Sequence, residues 1–178
     1  FFESITLRTA GFSSFPQENM TDFSCVMSYI LMFIGGSPIG TAGGVKTVTI
    51  FLALLNVISY IHDDDQSIIF NRRVTDESMR KATVIVSVAA FAIVVLTLLL
   101  IVTNKVNMQD GLYEVISASA TVGLSRGLTS SLDSIGQIII IVAMYLGRIG
   151  PISLAIFFAG RGHHKSKCRY LEGDFFVG

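Results

Sequence analysis

The sequence predicts an all-α membrane protein assembled from helix–pore loop–helix repeats, and three observations predict it. Residues 82–103 carry no charged side chain and are almost wholly apolar, two further apolar stretches are interrupted by glycine-rich segments, and short motifs recur at one fixed spacing. Composition agrees: 51% of the 178 residues are hydrophobic and 15% charged, with a mean hydropathy of +0.64, above what a soluble domain of this size usually carries. The formal net charge is zero, so the position of the charges matters more than their balance.

The chain opens on Phe1 and Phe2, without an initiator Met, a basic leader or a cleavage pattern. No signal peptide is expected, and a fragment is the simpler reading. Residues 1–8 and 112–120 are amphipathic and too short to span a bilayer, candidate pore helices that enter the membrane from outside and turn back. Residues 24–61 form a long apolar stretch, broken by the run from Gly35 to Gly44 and followed there by Lys46, so each half is shorter than a usual span. Residues 82–103 meet the roughly 20 residues that cross about 30 Å of hydrocarbon. Residues 135–160 are apolar except for Gln137 and Arg148, and an arginine at that depth is costly. The expected organisation is a repeat over 1–61, a linker over 62–81, a second repeat over 82–160 and a tail over 161–178. Cys25 lies in an apolar run and Cys168 in the basic tail; both are read as free thiols.

Basic residues near the span ends set the orientation. Arg72, Arg73, Arg80 and Lys81 lie before the uncharged span, and Arg161, Lys165, Lys167 and Arg169 follow the last apolar stretch. Segments 62–81 and 161–178 are therefore expected to be cytoplasmic. The connection 104–133, with only Lys105 and Arg126, and the segment 15–22 are expected on the outer face.

An internal repeat organises the rest. Thr9-Ala10-Gly11-Phe12-Ser13 matches Thr121-Val122-Gly123-Leu124-Ser125, and Met32-Phe33-Ile34-Gly35 matches Met144-Tyr145-Leu146-Gly147, both at an offset of 112 residues. Each copy then reads as an outer helix, a half-span helix ending in Thr-x-Gly-x-Ser, and a second helix with a glycine-centred break. The counterpart of the 82–103 helix would precede Phe1. Non-helical backbone at membrane depth is tolerated only where protein buries it or water lines it, so the Thr-x-Gly elements suggest carbonyls turned toward an ion. Gly11 and Gly123 would supply positive φ and close approach. An ordinary re-entrant turn is the plainer alternative. The glycine-rich loop can occlude a pore and open by small backbone rotations. Arg148 can repel cations from the inner half of such a pore, or brace carbonyls freed by the broken helix, and both can hold. Glu3 and Glu114, in the half-span segments, suit attraction of cations or capping of helix ends.

These elements, in their order, resemble the C-terminal half of the Trk/Ktr/HKT superfamily of potassium transporters. The resemblance is nearest to the membrane subunit of bacterial Ktr uptake systems and runs through the ending Glu172-Gly173-Asp174-Phe175-Phe176-Val177-Gly178. It implies a pseudo-fourfold, potassium-channel-like pore of four linked repeats, of which this chain holds most of the third and all of the fourth, about one and a half repeats. It places the selectivity filter for K⁺ at Thr9, Ala10, Gly11 and Phe12 and at Thr121, Val122, Gly123 and Leu124. The intramembrane gate falls at Gly35, Gly36, Ser37, Gly40, Thr41, Gly43 and Gly44, faced by Arg148. It further implies plasma-membrane potassium uptake, a homodimer, a cytoplasmic nucleotide-binding gating-ring subunit and contact with membrane lipids, with no nucleic acid and no cofactor. A sodium or unselective monovalent cation transporter of the same fold is the alternative.

Competing patterns are weaker. The stretch from Gly40 to Thr47 comes within one residue of a phosphate-binding loop, but Val45 stands where the last glycine belongs. A nucleotide-binding membrane receptor or enzyme would use it. His163, His164 and Cys168 lack a fourth metal ligand at suitable spacing and read as a solvated basic tail suited to anionic lipid. Asp63, Asp64 and Asp65 lack the pattern of a calcium loop. No triad or carboxylate pair has a catalytic spacing, so no enzyme is expected. A scaffold whose glycines only pack helices is the remaining alternative.

Overall fold

The computed structural model describes residues 1–38, 42–62, 68–69 and 72–150. Gly40 and Thr41, the aspartates at 63–65 and the tail with His163, His164 and Cys168 lie outside the described residues.

Six helices account for most of the described chain: α1 (Phe2–Thr6), α2 (Asp22–Phe33), α3 (Thr47–His62), α4 (Asp76–Asn104), α5 (Met108–Ser119) and α6 (Ser134–Ile149). Extended pairing among the described residues is confined to a two-residue hairpin, β1 (Ile68–Ile69) against β2 (Arg72–Arg73), and a single parallel bridge between Ile34 and Val45. The fold is all-α, as expected.

The helix α4 has 29 residues, a rise of about 43 Å at 1.5 Å per residue. Its stretch Glu77–Asn104 is the one among the described residues long and apolar enough to cross a membrane. Only 17% of its most apolar window is buried; Phe91, Val94, Leu98 and Val102 point outward along one face, which a bilayer stabilises and water does not. The helix begins six residues before the expected span, because the polar turn Asp76-Glu77-Ser78 still suits a helix N-terminus preceded by Thr75. The helix ends at Lys105, in the left-handed region at φ 50°. α5 likewise begins at Met108 rather than Leu112, because its polar first turn belongs to the helix although it breaks the apolar run.

The interrupted stretch 24–61 becomes two shorter helices of 12 and 16 residues, α2 and α3. Thr21 caps α2, its hydroxyl accepting from the Ser24 amide at 3.4 Å. The last apolar stretch is helical as far as Ile149, and its continuation from Pro151 lies outside the described residues.

Hydrogen bonds and packing fix how the helices run. Asn56 on α3 donates to Thr83 on α4 at 3.1 Å, and the groove between them joins Ile50 and Leu54 with Ser87 and Ala90, an antiparallel pair. At the other end of α4, Asn104 accepts from the Asp133 amide at 2.9 Å, so the end of α4 meets the start of α6. One buried cluster joins Leu96 and Leu100 of α4 to Val115 and Ala118 of α5 and Ile140 and Ala143 of α6. A second joins Cys25 and Met32 of α2 to Tyr113 and Ile116 of α5, with Val122 and Leu124. The starts of α2, α5 and α6 and the end of α4 therefore share one end of the molecule. The hairpin, the end of α3 and the start of α4 share the other.

Lipid tails are as apolar as leucine, so stability here comes from packing rather than from exclusion of water. Leu100→Ala, at a fully buried site, is expected to destabilise by about 2–5 kcal/mol. Leu98→Ala, on the outward face, should change stability by no more than about 0.5 kcal/mol. Unfolding of the complete protein in detergent, read side by side for the two variants, measures the difference.

Candidate ion pathway

The two Thr-x-Gly elements have the same backbone shape. Thr9 and Thr121 take positive φ, at 70° and 56°, and Gly11 and Gly123 follow at 76° and 87°. Ala10 and Val122 between them are not among the positive-φ residues, so φ changes sign and back again along each loop. Glycine takes this conformation readily, whereas a β-branched threonine at positive φ is an outlier, and it occurs in both copies. The offset of 112 residues extends further: the one-turn 3₁₀ helices at Gln17–Asn19 and Thr129–Ser131 obey it, and so do the starts of α2 at Asp22 and α6 at Ser134.

The two loops lie side by side. A side chain at Gly11 would collide with the Val122 carbonyl oxygen. Gly123 faces open space. Val122 and Leu124 are buried in the cluster behind the loop, whereas Phe12 is exposed. In the first loop Thr6, itself buried, holds the turn: its hydroxyl donates to the Phe12 carbonyl at 2.6 Å and lies 2.7 Å from the Phe12 amide, which donates back.

The glycine-rich loop packs against the second Thr-x-Gly element. A side chain at Gly43 would strike the Ala120 carbonyl and the Thr121 side chain, and one at Gly35 would strike the Gly43 carbonyl. The base of the loop is pinned by backbone bonds: Gly35 donates to the Val45 carbonyl at 2.9 Å, Val45 to Phe33 at 3.2 Å and Thr47 to Gly36 at 3.3 Å. Lys46 donates to the Ala42 carbonyl. Arg148 lines a cavity of 270 Å³ together with Gly43, Gly44, Lys46 and Thr49. Of the residues named from the sequence, the structure thus brings together Gly35, Gly43, Gly44, Thr121 and Arg148. Gly36 stands at the pinned base, and Ser37 is exposed.

Three contributors were not assigned these parts from sequence. Lys46 was legible as a lone charge in an apolar run, the usual mark of a functional position in a membrane segment. Thr6 and the left-handed threonines carry no such mark. The glutamates behave differently from the capping role considered above: Glu114 lies in mid-helix, and neither α1 nor α5 has a side-chain cap.

A polar clamp ties the repeats together on the side where α2 and α5 begin. Arg126 pairs with Asp110, Nε to Oδ1 at 2.9 Å, an ion pair without hydrogen-bond alignment, and donates to Cys25 Sγ at 3.0 Å. Burial works against the Arg126 charge, but the Cys25 sulfur and the Asp110 carboxylate prevail and hold its proton more tightly than usual. Tyr29 donates to the Gln109 carbonyl at 3.0 Å, and Tyr113 donates to Gln17 Oε1 at 3.1 Å.

Comparison with known proteins settles the family. Residues 1–166 match TrkH, described as a cation transport protein. The chain belongs to the TrkH family. It is 35% identical over 178 residues to Ktr system potassium uptake protein B of Bacillus subtilis, covering all of this chain and 40% of that protein. It is 35% identical over 159 residues to the protein of the same name from Vibrio alginolyticus, covering 89% of this chain and 35% of that one. Potassium/sodium uptake protein NtpJ of Enterococcus hirae is 34% identical over 158 residues, 86% of this chain and 35% of its own length. The chain therefore spans two fifths or less of these relatives. Members of the TrkH family are membrane transporters and not enzymes.

In this TrkH-family chain the close contacts order the glycines by consequence. Gly43→Ala has to displace backbone and is expected to lower stability more than Gly123→Ala, which meets no atom and costs about 1–2 kcal/mol for the left-handed φ alone. Thermal unfolding of the two variants in detergent gives the order directly.

Proposed function

We propose that this chain supplies two of the four walls of a potassium uptake pathway, in a plasma-membrane protein whose segments 62–81 and 161–178 face the cytoplasm. The observation that carries the reading is the pair of adjacent Thr-x-Gly loops with one backbone alternation. Backbone carbonyls that line a pore replace the hydration shell of a monovalent cation without any charged side chain. Thr9, Ala10, Gly11 and Phe12 form one wall of the filter, and Thr121, Val122, Gly123 and Leu124 the next.

Below them, Gly35, Gly36, Ser37, Gly40, Thr41, Gly43 and Gly44 form the gate, with Arg148 on its inner side. Contact of Gly43 with Thr121 supports a loop seated directly under the filter. Arg148 and Lys46 place two positive charges around the cavity that a cation would enter next, so ions pass when the loop and these charges move aside. Relatives named as Ktr system subunits support a multi-component assembly; the homodimer, the nucleotide-binding gating ring and lipid contact are its proposed parts.

Potassium is the proposed ion, and sodium is the second reading because one relative is named for both. Nucleotide binding at the loop from Gly40 to Thr47 finds no support: Lys46, the residue that would meet phosphate, is engaged with the Ala42 carbonyl, and the loop opens α3 from a single bridge rather than from a sheet.

Uptake of radiolabelled rubidium by cells lacking their own potassium transporters, expressing the complete protein, tests the pathway. Gly123→Ser is expected to lower the preference for rubidium over sodium about tenfold, equivalent to ~1.4 kcal/mol. Arg148→Ala should raise uptake under conditions that keep the wild type closed. Wild-type behaviour of both variants at equal surface expression would leave the scaffold reading in its place.

A further inference from the structure

In each repeat a glutamate on the half-span helix reaches forward to the loop that follows the Thr-x-Gly element. Glu114, in the middle of α5 and only 4% exposed, accepts from Ser125 Oγ and from Thr129 Oγ1, the latter at 3.1 Å to each carboxylate oxygen. Glu3, on α1, accepts from the Ser14 amide at 3.2 Å, the Ser14 hydroxyl at 2.8 Å and Gln17 Nε2 at 3.2 Å. In both copies the serine lies 11 residues ahead of the glutamate. Gln17 and Thr129 each open the 3₁₀ turn that follows. The two glutamates stand one residue out of the 112-residue register, and so do their serines. A serine–glutamate contact is thus built in both repeats, the two residues displaced together, with Glu114 buried and Glu3 only partly so.

A carboxylate that draws cations toward a pore has to face water. Glu114 is sealed, and its oxygens are taken by hydroxyl donors of its own repeat. We propose that Glu3 and Glu114 are positioning residues that hold the outer limbs of the two filter loops, so that Thr9 and Gly11, and Thr121 and Gly123, keep their positive φ. The inference rests on the filter reading above. Its physical basis is that a left-handed threonine persists only where its surroundings over-determine it. The helix end fixes one side of each loop: the Gly11 amide donates to the Thr6 carbonyl at 3.1 Å and the Val122 amide to the Ser117 carbonyl at 2.9 Å. The carboxylate fixes the other side through hydrogen bonds strengthened by its charge.

The test is rubidium uptake with sodium competition in cells expressing the complete protein at matched surface levels. Glu114→Ala is expected to reduce the rubidium-over-sodium preference about tenfold, the loss of charge-assisted bonds to the loop. Glu114→Gln keeps an acceptor oxygen without the charge and is expected to stay within about threefold of wild type, the remaining difference reflecting the weaker neutral bond. The pair Ser125→Ala with Thr129→Val, which removes the donors, should match Glu114→Ala, and adding Glu114→Ala to it should change nothing further. Gln as damaging as Ala together with a wild-type preference in the donor-side pair would show that the charge acts on the ion and would overturn the proposal, as would an unchanged preference in Glu114→Ala. Should Glu114→Ala fail to reach the membrane, Glu3→Ala and the loop-side pair give the same reading by the same criteria. A wild type that takes up no rubidium would remove the filter reading itself, an outcome distinct from failure of the brace.

Discussion

Backbone lies directly on backbone at the centre of this molecule. Gly11 rests on the Val122 carbonyl, Gly43 on the Ala120 carbonyl, Gly35 on the Gly43 carbonyl and Gly147 on the Ser119 carbonyl, each too close for a side chain. In a bilayer, irregular backbone survives only where other protein covers it, and here the cover is more backbone. The short helices follow from this constraint. α1 and α5 stop where the Thr-x-Gly loops begin, and α2 stops where the glycine-rich loop folds back under them. α4 is the one described helix free to run a full span, because it packs behind this centre rather than within it.

Such a centre has to be held from outside, since two of its threonines sit in a conformation that L residues avoid. The restraints come from every neighbouring direction. Thr6 and the two glutamates tie each loop to its own half-span helix. The contact of Gly11 with Val122 ties the loops to one another, and the Arg126, Asp110 and Cys25 cluster ties α2 to α5. Two of these contacts, Gly11 with Val122 and Arg126 with Cys25, join residues more than 100 apart, whereas the threonine and glutamate bonds stay within one repeat. The strained loops are therefore held partly by contacts within one repeat and partly by contacts that only the assembled pair supplies.

That distinction explains what could be read from the sequence and what could not. The repeat was legible in two four- or five-residue matches at one offset, and the same offset recurs in backbone angles and helix starts that no residue pattern advertised. The membrane span was legible from its uncharged run, but its start was not: Asp76 and Glu77 interrupt hydrophobicity without interrupting the helix. The positive φ of Gly11 and Gly123 was expected, since glycine marks such positions. The same angle at Thr9 and Thr121 was not, because tertiary contacts impose it against the residue's own preference. Lys46 could have been weighed as more than the end of a phosphate-loop pattern. Its carbonyl partner is set by the fold of the loop and cannot be inferred from spacing.

The repeats also diverge after their second glycine-centred position. Gly35 and Gly147 are equivalent under the offset, and both meet a backbone carbonyl. Yet α2 ends at Phe33, whereas α6 passes through Gly147 and ends at Ile149. The residues that follow account for the difference. Gly36, Ser37 and Pro38 combine backbone freedom with a missing amide donor, so helix cannot resume at once after Gly35. After Gly147 come Arg148 and Ile149, which sustain a helix until Gly150 takes φ 83° before Pro151. Among the described residues the duplicated scaffold thus shows two matching Thr-x-Gly loops and one inserted loop, while its partner repeat carries an arginine at the corresponding position. Exact symmetry would put two loops under the loops above, or two arginines. Lys46 and Arg148 line one cavity with Gly43 and Gly44, so one charge follows the inserted loop of the first repeat and the other stands at the helix end of the second.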